Sequence, residues 1–340
     1  MPAPAVSSAD PIHVGGFGSV VVNSPSGVPL DKLSIDQAAV AALISGSITP
    51  RFAYFAEIDA YSRSRENFAQ REVEQRVTPD RLYGEFTASD KLRVRVGQFL
   101  TPIGEWNELH VEPLTWTSVR PLTTFRSFPQ SIGGALVGGD QPLGGHDFGY
   151  ALYGGRSLGH QDHDDIRVAG IVGARAAIEV RPQWWIGVSV AALRERRPDL
   201  GDTDLVADSQ PGSPDPIDGD TDIVDSSTRA LAGVDARLLI RGAELTGEVV
   251  ALSALSQERP ELGGFVQAAV PITLGAQLPL FAVARLERYR SRTGESATLG
   301  VFGAAYRPSA WLTLKAERQL GPTGSRLAAP GWYASAAVLF

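Results

Sequence analysis

The chain has 340 residues, of which 43% are apolar and 20% charged, and its formal net charge at pH 7 is −7. This acidic balance argues against nucleic acid as a partner. The absence of cysteine excludes disulfides, thiolate metal ligands and cysteine nucleophiles. The mean hydropathy, −0.04, is too low for a bundle of membrane-spanning helices.

Segments of alternating apolar and polar residues, each about ten residues long, recur along the chain and predict β-strands. The long connection at 100–130 and a charged stretch at 63–78 interrupt them. In chain order, the predicted strands are 12–22, 36–48, 51–62, 81–88, 91–99, 131–137, 146–155, 165–180, 184–195, 228–240, 243–255, 261–271, 277–288, 295–306, 310–319 and 331–340.

The connections between these strands alternate between short and long. The short ones carry the turn sequences TP, SD, RPQ, RG, TLGA and PS, with GDQPLGG as the longest of this set. The others are mostly longer, polar and acidic. Short turns at one end and long loops at the other are typical of outer-membrane β-barrels. The sequence therefore predicts an all-β fold, a transmembrane antiparallel barrel of about 16 strands formed by one domain, 1–340, with 14 or 18 strands as alternatives.

Charged residues occupy one face of the predicted strands, and apolar residues occupy the other. In the strand 51–62, for example, Glu57 and Asp59 alternate with aromatic and aliphatic residues. A soluble sandwich would show the same alternation, but sixteen polar faces are more naturally explained by a water-filled lumen. The residues predicted to line the lumen wall are Glu57, Asp59, Glu85, Arg175, Arg237, Arg285 and Lys315.

The last predicted strand, GWYASAAVLF, ends on an aromatic residue, Phe340. A strand with a continuous apolar face must pair at both edges. We therefore expect it to pair with the strand 310–319 and, closing the ring, with the strand 12–22. Phe340 should then lie at the rim that carries the short turns and face lipid.

The connection 100–130 contains four prolines and aromatic residues at positions 106, 116 and 125. It is too apolar to lie free in solvent, and a structureless loop of this length is usually functional. We predict that it folds into the lumen and narrows it. The candidate constriction residues are Arg93, Arg95, Arg120 and Arg126 on the basic side and Glu105, Glu108 and Glu112 on the acidic side. An alternative is that these charges pair with one another and brace the loop against the wall.

The motif RVRVGQFLTPIGEWNE, together with the terminal Phe340, resembles the phosphate-selective porin (O/P type) family and its relatives, Gram-negative outer-membrane proteins. The specific motifs lie between 81 and 139, whereas the architecture extends over the whole length. The resemblance implies a homotrimer of 16-stranded barrels with in-folded loops and arginine-lined constrictions. The chain departs from the family in having three lysines, Lys32, Lys91 and Lys315, and a lumen of mixed charge, which argues against strict selectivity for phosphate or other anions.

These patterns predict an outer-membrane porin, a channel for passive diffusion of small hydrophilic solutes or ions, in contact with lipid and lipopolysaccharide. A barrel with an occluded lumen that anchors an envelope partner is the alternative, and a soluble β-protein is a third reading. The first residues, MPAPAVSSADP, lack the pattern of a signal peptide, which is expected of a mature form. No catalytic motif, cofactor site or metal site is predicted. The acidic runs 160–165 and 201–227 are interpreted as solvated outer loops, with divalent-cation binding left open.

Overall fold

The computed structural model describes residues 12–25, 34–66, 71–158, 168–195, 228–254, 259–272, 278–322, 327 and 330–340. These residues form a closed barrel in which each strand pairs antiparallel with its neighbours in sequence. The last strand pairs with the first and closes the ring. The predicted barrel of sixteen antiparallel strands is thus confirmed.

The strands begin and end within a few residues of their predicted bounds, with two exceptions described below. The sixteen strands are β1 His13–Pro25, β2 Ser34–Thr49, β3 Phe52–Glu66, β4 Arg71–Ser89, β5 Leu92–Leu100, β6 Ser131–Leu143, β7 His146–Arg156, β8 Val168–Arg181, β9 Trp184–Glu195, β10 Thr228–Ile240, β11 Ala243–Leu252, β12 Glu261–Pro271, β13 Leu280–Arg290, β14 Ser296–Ser309, β15 Leu312–Leu320 and β16 Gly331–Leu339.

The charged stretch 63–78, expected to be a loop, instead belongs mostly to β3 and β4. The backbone pairing of these strands continues to Glu66 opposite Arg71, and it places Arg65 opposite Glu72. The loop prediction was wrong because the high density of charged residues was interpreted as the sign of a solvent-exposed loop.

The sequence GDQPLGG, expected to connect β6 and β7, contains only a two-residue turn. Strand β6 runs to Leu143, which pairs with His146. Gly144 and Gly145 make the turn with φ angles of +60° and +87°, a conformation that glycine adopts without steric cost. This end of the barrel therefore has tight turns here as well.

The described residues include two short helices, a 3-10 helix at Trp106–Leu109 and α1 at Leu122–Arg126. Both lie between β5 and β6. Within the part of the chain that the structure describes, no helix has the length and apolar character needed to cross a membrane.

The outer surface of the barrel is apolar, and much of its charge lies inside. Outward-facing Val14, Val266 and Leu286 are 76%, 65% and 64% exposed, whereas inward-facing Glu57 and Arg285 are 0% and 1% exposed. A soluble protein places these residue types the other way round. An apolar outer band over an interior that holds charges is the pattern of a barrel surrounded by lipid.

The seam between β1 and β16 holds the chain's last residue. The amide nitrogen of Phe340 donates to the Gly16 carbonyl at 2.9 Å, and the Gly16 amide donates back to the Phe340 carbonyl at 2.8 Å. A side chain at position 16 would collide with the Phe340 ring and with the carbonyl of Ala41. The expected pairing of the terminal strand with β15 and β1 is confirmed, and Phe340 is 70% exposed on the outer surface.

Candidate functional site

The connection between β5 and β6, residues 101–130, lies inside the barrel, and we call it the inner segment. Its contacts reach inward-facing side chains on widely separated strands. His110 Nε2 is 3.3 Å from Asp80 Oδ2 on β4, Trp116 Nε1 donates to Glu244 Oε1 on β11 at 2.9 Å, and Lys315 Nζ on β15 donates to the Glu112 carbonyl at 2.7 Å. The inner segment therefore folds into the lumen and bridges it.

The two ends of the inner segment are held together as a stem. The amide nitrogen of Thr101 donates to the Gln130 carbonyl at 2.8 Å. The side chain of Asn107 donates to the carbonyls of Thr101 at 2.8 Å and Gln130 at 2.9 Å. Because Thr101 and Asn107 are fully buried, these hydrogen bonds satisfy backbone groups that water does not reach.

An apolar cluster seats this stem against the wall. Fully buried Ile103 and Phe128 of the inner segment pack with Phe99 and Ile132, the residues that flank the stem on β5 and β6. The cluster continues along the inner faces of the following strands through Leu136, Tyr153, Val168, Ile171, Ala191, Leu193, Leu231, Val250 and Leu252. The interior is thus not uniformly polar, which the strand pattern did not predict. The apolar side chains of Ile103 and Phe128 are buried against this part of the wall, which is therefore apolar as well.

One wall carboxylate and one wall guanidinium hold residues 117–119. Glu317 on β15 accepts hydrogen bonds from the amides of Ser118 at 3.1 Å and Val119 at 2.9 Å. Arg285 on β13 donates to the Thr117 hydroxyl at 2.7 Å and to the Val119 carbonyl at 2.8 Å. Both charges are buried, so these hydrogen bonds replace the water that the groups would otherwise need.

A buried lysine holds the preceding part of the inner segment. Lys315 Nζ donates to the Glu112 carbonyl at 2.7 Å, the Glu112 carboxylate at 3.0 Å and the Thr115 hydroxyl at 2.9 Å. Its side chain is completely buried. Ser335 on β16 donates to the same Glu112 carboxylate at 2.8 Å. Lys315 and Glu112 therefore brace the inner segment as a buried pair.

Glu105 lies at the start of the inner segment and pairs with the wall. Arg237 on β10 donates to Glu105 at 3.0 Å and to Glu244 on β11 at 3.0 Å. Burial raises the pKa of the Glu105 carboxyl, and the neighbouring Arg237 guanidinium opposes that rise. The paired guanidinium thus helps to keep a partly desolvated carboxylate charged.

Arg120 holds the inner segment together from within. Its guanidinium donates to Asn107 Oδ1 at 3.2 Å and to the Thr124 carbonyl at 3.1 Å. It also hydrogen-bonds the Gln130 side chain and lies 5.3 Å from the centre of the Trp106 ring. These contacts are all with uncharged groups of the inner segment, so they stabilise its fold rather than tie it to the wall.

Two predicted constriction arginines, Arg93 and Arg95, form ion pairs with the wall. Arg93 pairs with Asp140 of β6 at 2.7 Å, where both side chains are exposed to solvent. Arg95 pairs with Glu85 of β4 at 2.7 Å, and its guanidinium lies 4.1 Å from the centre of the Tyr83 ring. Their ion-pair partners in the described structure are therefore strand residues rather than acids of the inner segment.

The remaining predicted constriction residues, Glu108 and Arg126, lie on the two helices of the inner segment. Glu108 is exposed within the 3-10 helix. Arg126 ends α1, is half-buried and has its guanidinium 5.6 Å from the centre of the Phe125 ring. The exposed carboxylate of Glu108 therefore presents its charge to solvent on the inner segment.

The predicted wall residues all lie on the inner face, and most are neutralised by neighbours. Arg175 makes a bidentate pair with Asp235 at 2.6 and 2.8 Å, and Glu57 pairs with Arg81. Asp59 is half-buried next to this pair on β3. Sequence reasoning did not single out Asp80, because the fourth strand was predicted to begin only at position 81. It also passed over Arg81, although this residue has the same parity as Glu85 in the predicted strand.

Arg307 of β14 was also missed. Its guanidinium donates to the carbonyls of Leu114 at 2.9 Å and Thr115 at 3.0 Å, and it lies 3.7 Å from the centre of the Trp116 ring. Position 307 lies beyond the predicted end of its strand, so the alternation gave no reason to select it.

Comparison with known proteins gives structural matches only. No protein-family model and no curated protein matches the sequence. The fold is similar to OmpF of Salmonella typhi in complex with daunomycin, with a TM-score of 0.63 and 11% identity over 97% of this chain and 96% of that chain. It is also similar to the outer membrane channel DcaP of Acinetobacter baumannii, with a TM-score of 0.60 and 11% identity over 97% of each chain.

A third similar structure is the in-vitro folded trimer form of OmpT, an outer membrane protein of Vibrio cholerae. The TM-score is 0.59 and the identity 9%, over 97% of this chain and 99% of that chain. At such low identity, these matches establish a shared barrel fold over nearly the full length of both chains.

Proposed function

We propose that this protein is an outer-membrane porin through which small hydrophilic solutes or ions diffuse passively. The observation that carries the proposal is the combination of an apolar outer band with a charged interior bridged by the inner segment. The outer band requires lipid around it, and the exposed interior charges require water. The structurally similar DcaP is described as an outer membrane channel, which supports the same role.

The selectivity of this channel would come from the inner segment and the wall opposite it. Charges of both signs at a constriction orient and filter hydrated solutes. Of the candidate constriction residues, Glu108 is exposed on the inner segment and would therefore act on solutes directly. Glu105, Glu112 and Arg120 would act mainly by holding the inner segment in place.

We further propose a relationship to the phosphate-selective porin (O/P type) family, supported by the motif RVRVGQFLTPIGEWNE. Within this motif Arg93 and Arg95 form ion pairs with Asp140 and Glu85. Since these pairs cancel much of the positive charge, we expect weak rather than strict charge selectivity.

We propose a homotrimer in contact with lipid and lipopolysaccharide. The similar OmpT structure is a trimer form. On the outer wall of this chain, a groove crosses β16 and β1 to β4, and its lining combines valines with the small residues Gly18, Ala38, Ala60 and Ala336. Small residues let two protein surfaces approach closely within a membrane.

The function is tested by recording currents across a planar lipid bilayer after adding the purified full-length protein. We expect stepwise conductance increases, and a reversal potential close to zero in a salt gradient because the charges are mixed. A barrel that inserts into lipid vesicles but gives no current steps would contradict the channel. It would favour the occluded scaffold, to which the apolar cluster around Ile103 and Phe128 lends specific support.

A further inference from the structure

Three side chains from distant parts of the chain converge at one point inside the barrel. Glu57 lies on β3, Asp80 on β4 and His110 on the inner segment. One ligand-type atom from each lies within 4.8 Å of the others. Glu57 is completely buried, and the side chains of Asp80 and His110 are 14% and 11% exposed.

A β-bulge places Asp80 in this group. Glu57 pairs with Arg81 and Ile58 pairs with Pro79, so the strand register skips Asp80. Without the extra residue, the alternation of β4 would send Asp80 and Arg81 to opposite faces. The Gln98 side chain on β5 donates to the carbonyls of Pro79 at 2.6 Å and Asp80 at 3.1 Å. The bulge is thus tied down by the neighbouring strand.

The hydrogen bonding of His110 determines which ring nitrogen faces the acids. Nδ1 is 3.0 Å from the Asn107 carbonyl oxygen, which can only accept, so Nδ1 carries a proton. Nε2 is the atom 3.3 Å from Asp80 Oδ2. In the neutral ring, Nε2 carries a lone pair that points at a carboxylate oxygen, and two acceptors repel each other. A cation between them would make the contact favourable. A backbone carbonyl on the second nitrogen is the usual support for a metal-bound histidine.

The Glu57 carboxylate has an unfilled position in this group. Oε2 pairs with Arg81, whereas Oε1 is buried and accepts no hydrogen bond from the described residues. Oδ1 of the adjacent Asp59 is in the same condition. A buried carboxylate oxygen without a donor is costly, and a bound cation would satisfy it.

The charges of the group are also unbalanced. Glu57, Asp59 and Asp80 carry three negative charges when ionised, and Arg81 offsets one of them. With a neutral His110, the group retains two negative charges. A divalent cation balances that number.

We propose that Glu57, Asp80 and His110 bind a divalent transition-metal ion, with Asp59 as an additional carboxylate beside it. An imidazole nitrogen with carboxylate oxygens suits zinc or manganese. Ligand atoms of tetrahedral zinc lie about 3.3 Å apart, so the spread of up to 4.8 Å closes by side-chain movements of about an ångström. The metal would fasten the inner segment to β3 and β4, whereas Lys315 and Glu317 hold it to β15, which lies four strands from β3 around the ring.

The test is a calorimetric titration with Zn²⁺ of untagged, full-length protein in detergent after metal removal by a chelator. One variant, His160→Ala with His163→Ala, removes the two histidines of the acidic run 160–165, so that zinc bound there does not obscure the proposed site. We expect this variant to bind one zinc per chain. No zinc binding by this variant would overturn the proposal.

Three substitutions in that background locate the ion. His110→Gln and Asp80→Asn should each weaken zinc binding at least about tenfold. His146→Gln is the matched control, since His146 Nδ1 is also 3.0 Å from a backbone carbonyl, that of Glu179, but no carboxylate pair is proposed to bind metal there. An unchanged zinc affinity in His110→Gln would overturn the proposal. The cluster would then be explained by an ion pair between a protonated His110 and the Asp80 carboxylate.

A second measurement does not depend on altering the cluster. X-ray absorption at the zinc edge of the His160→Ala, His163→Ala protein should show a nitrogen and oxygen shell with one imidazole. A shell without imidazole would place the zinc elsewhere and overturn the proposal. Any effect of zinc on conductance rests on the proposed function, whereas zinc binding does not depend on it. A barrel that binds zinc but conducts no current would therefore support the metal site and contradict the channel.

Discussion

Single residues set how the inner segment begins and how its charges are presented. Gly104 has a φ of +69° and is packed so closely that a β-carbon would run into the Glu248 carboxylate. Glycine at this position lets the chain leave β5 and turn sharply into the lumen. A few residues later, adjacent side chains of the 3-10 helix lie on different sides: Asn107 is fully buried, whereas Glu108 is exposed to solvent.

Gly104→Ala should destabilise the protein more than the same change at Gly144. Both glycines have positive φ angles, +69° and +60°, so each substitution costs about 1 kcal/mol of backbone strain. At Gly144 nothing lies within 4 Å of the added carbon, whereas at Gly104 the Glu248 carboxylate must move. Denaturant unfolding of the two variants in detergent measures the difference, and equal losses would show that the Glu248 contact has no energetic weight.

Glu108→Gln should move the reversal potential in a salt gradient towards anion preference. The substitution removes an exposed negative charge on the inner segment without removing a described brace. Asp147→Asn, which removes an exposed charge near the turn between β6 and β7, is the control and should change the potential less. Equal shifts in the two variants would mean that the inner segment does not set the selectivity.

At the scale of elements, the inner segment depends on the wall strands that hold it. Residues 112–119 are fixed by Lys315 and Glu317 of β15, by Arg285 of β13 and by Arg307 of β14. The stem is fixed separately by the apolar cluster that includes Ile103 and Phe128. Two independent attachments explain how a connection of this length keeps one position across the lumen.

Glu317→Gln should loosen the middle of the inner segment. The carboxylate accepts two amide hydrogen bonds, from Ser118 and Val119, and an amide side chain can accept with only one of its two terminal atoms. We expect a loss of about 1–3 kcal/mol and faster proteolysis within 112–121. Glu295→Gln, in the connection before β14, is the control and should leave the cleavage rate unchanged. Protection equal to that of the unaltered protein would contradict the role of Glu317.

At the scale of the whole molecule, the barrel presents apolar side chains almost all round, and a groove indents this surface on one side. The groove across β16 and β1 to β4 carries Gly18, Ala38, Ala60 and Ala336. Elsewhere on the outer face, large residues such as Val266 and Leu286 project from the wall. This asymmetry gives the proposed trimer one preferred contact surface.

Ala60→Trp should shift the protein from trimer to monomer in mild detergent, because the new ring fills the groove that a neighbouring subunit would enter. Ala282→Trp adds the same ring to an exposed position on β13 and should leave the trimer intact. Light scattering of the protein–detergent complexes measures the mass. A three-chain mass for both variants would show that the subunits meet elsewhere.

The sequence by itself indicated about 16 strands, their pairing order and their inner and outer faces, and the closed ring fixed the number at 16. These follow from a period of two, which each strand carries in its own residues. It also indicated the inner segment, since an apolar connection of this length must pack. The pairing of the terminal strand was also predictable, because a strand with a continuous apolar face must pair at both of its edges.

The tertiary structure alone decided which charges meet. Glu57, Asp80 and His110 are separated by 23 and 30 positions in the chain, and a bulge that no local pattern indicates turns Asp80 inward. Likewise, Glu112 reaches Lys315 and Ser118 reaches Glu317 only because the barrel closes. Alternation assigns a side chain to a face, but the register between strands and the path of the inner segment determine its partner, and both depend on contacts between residues far apart in sequence.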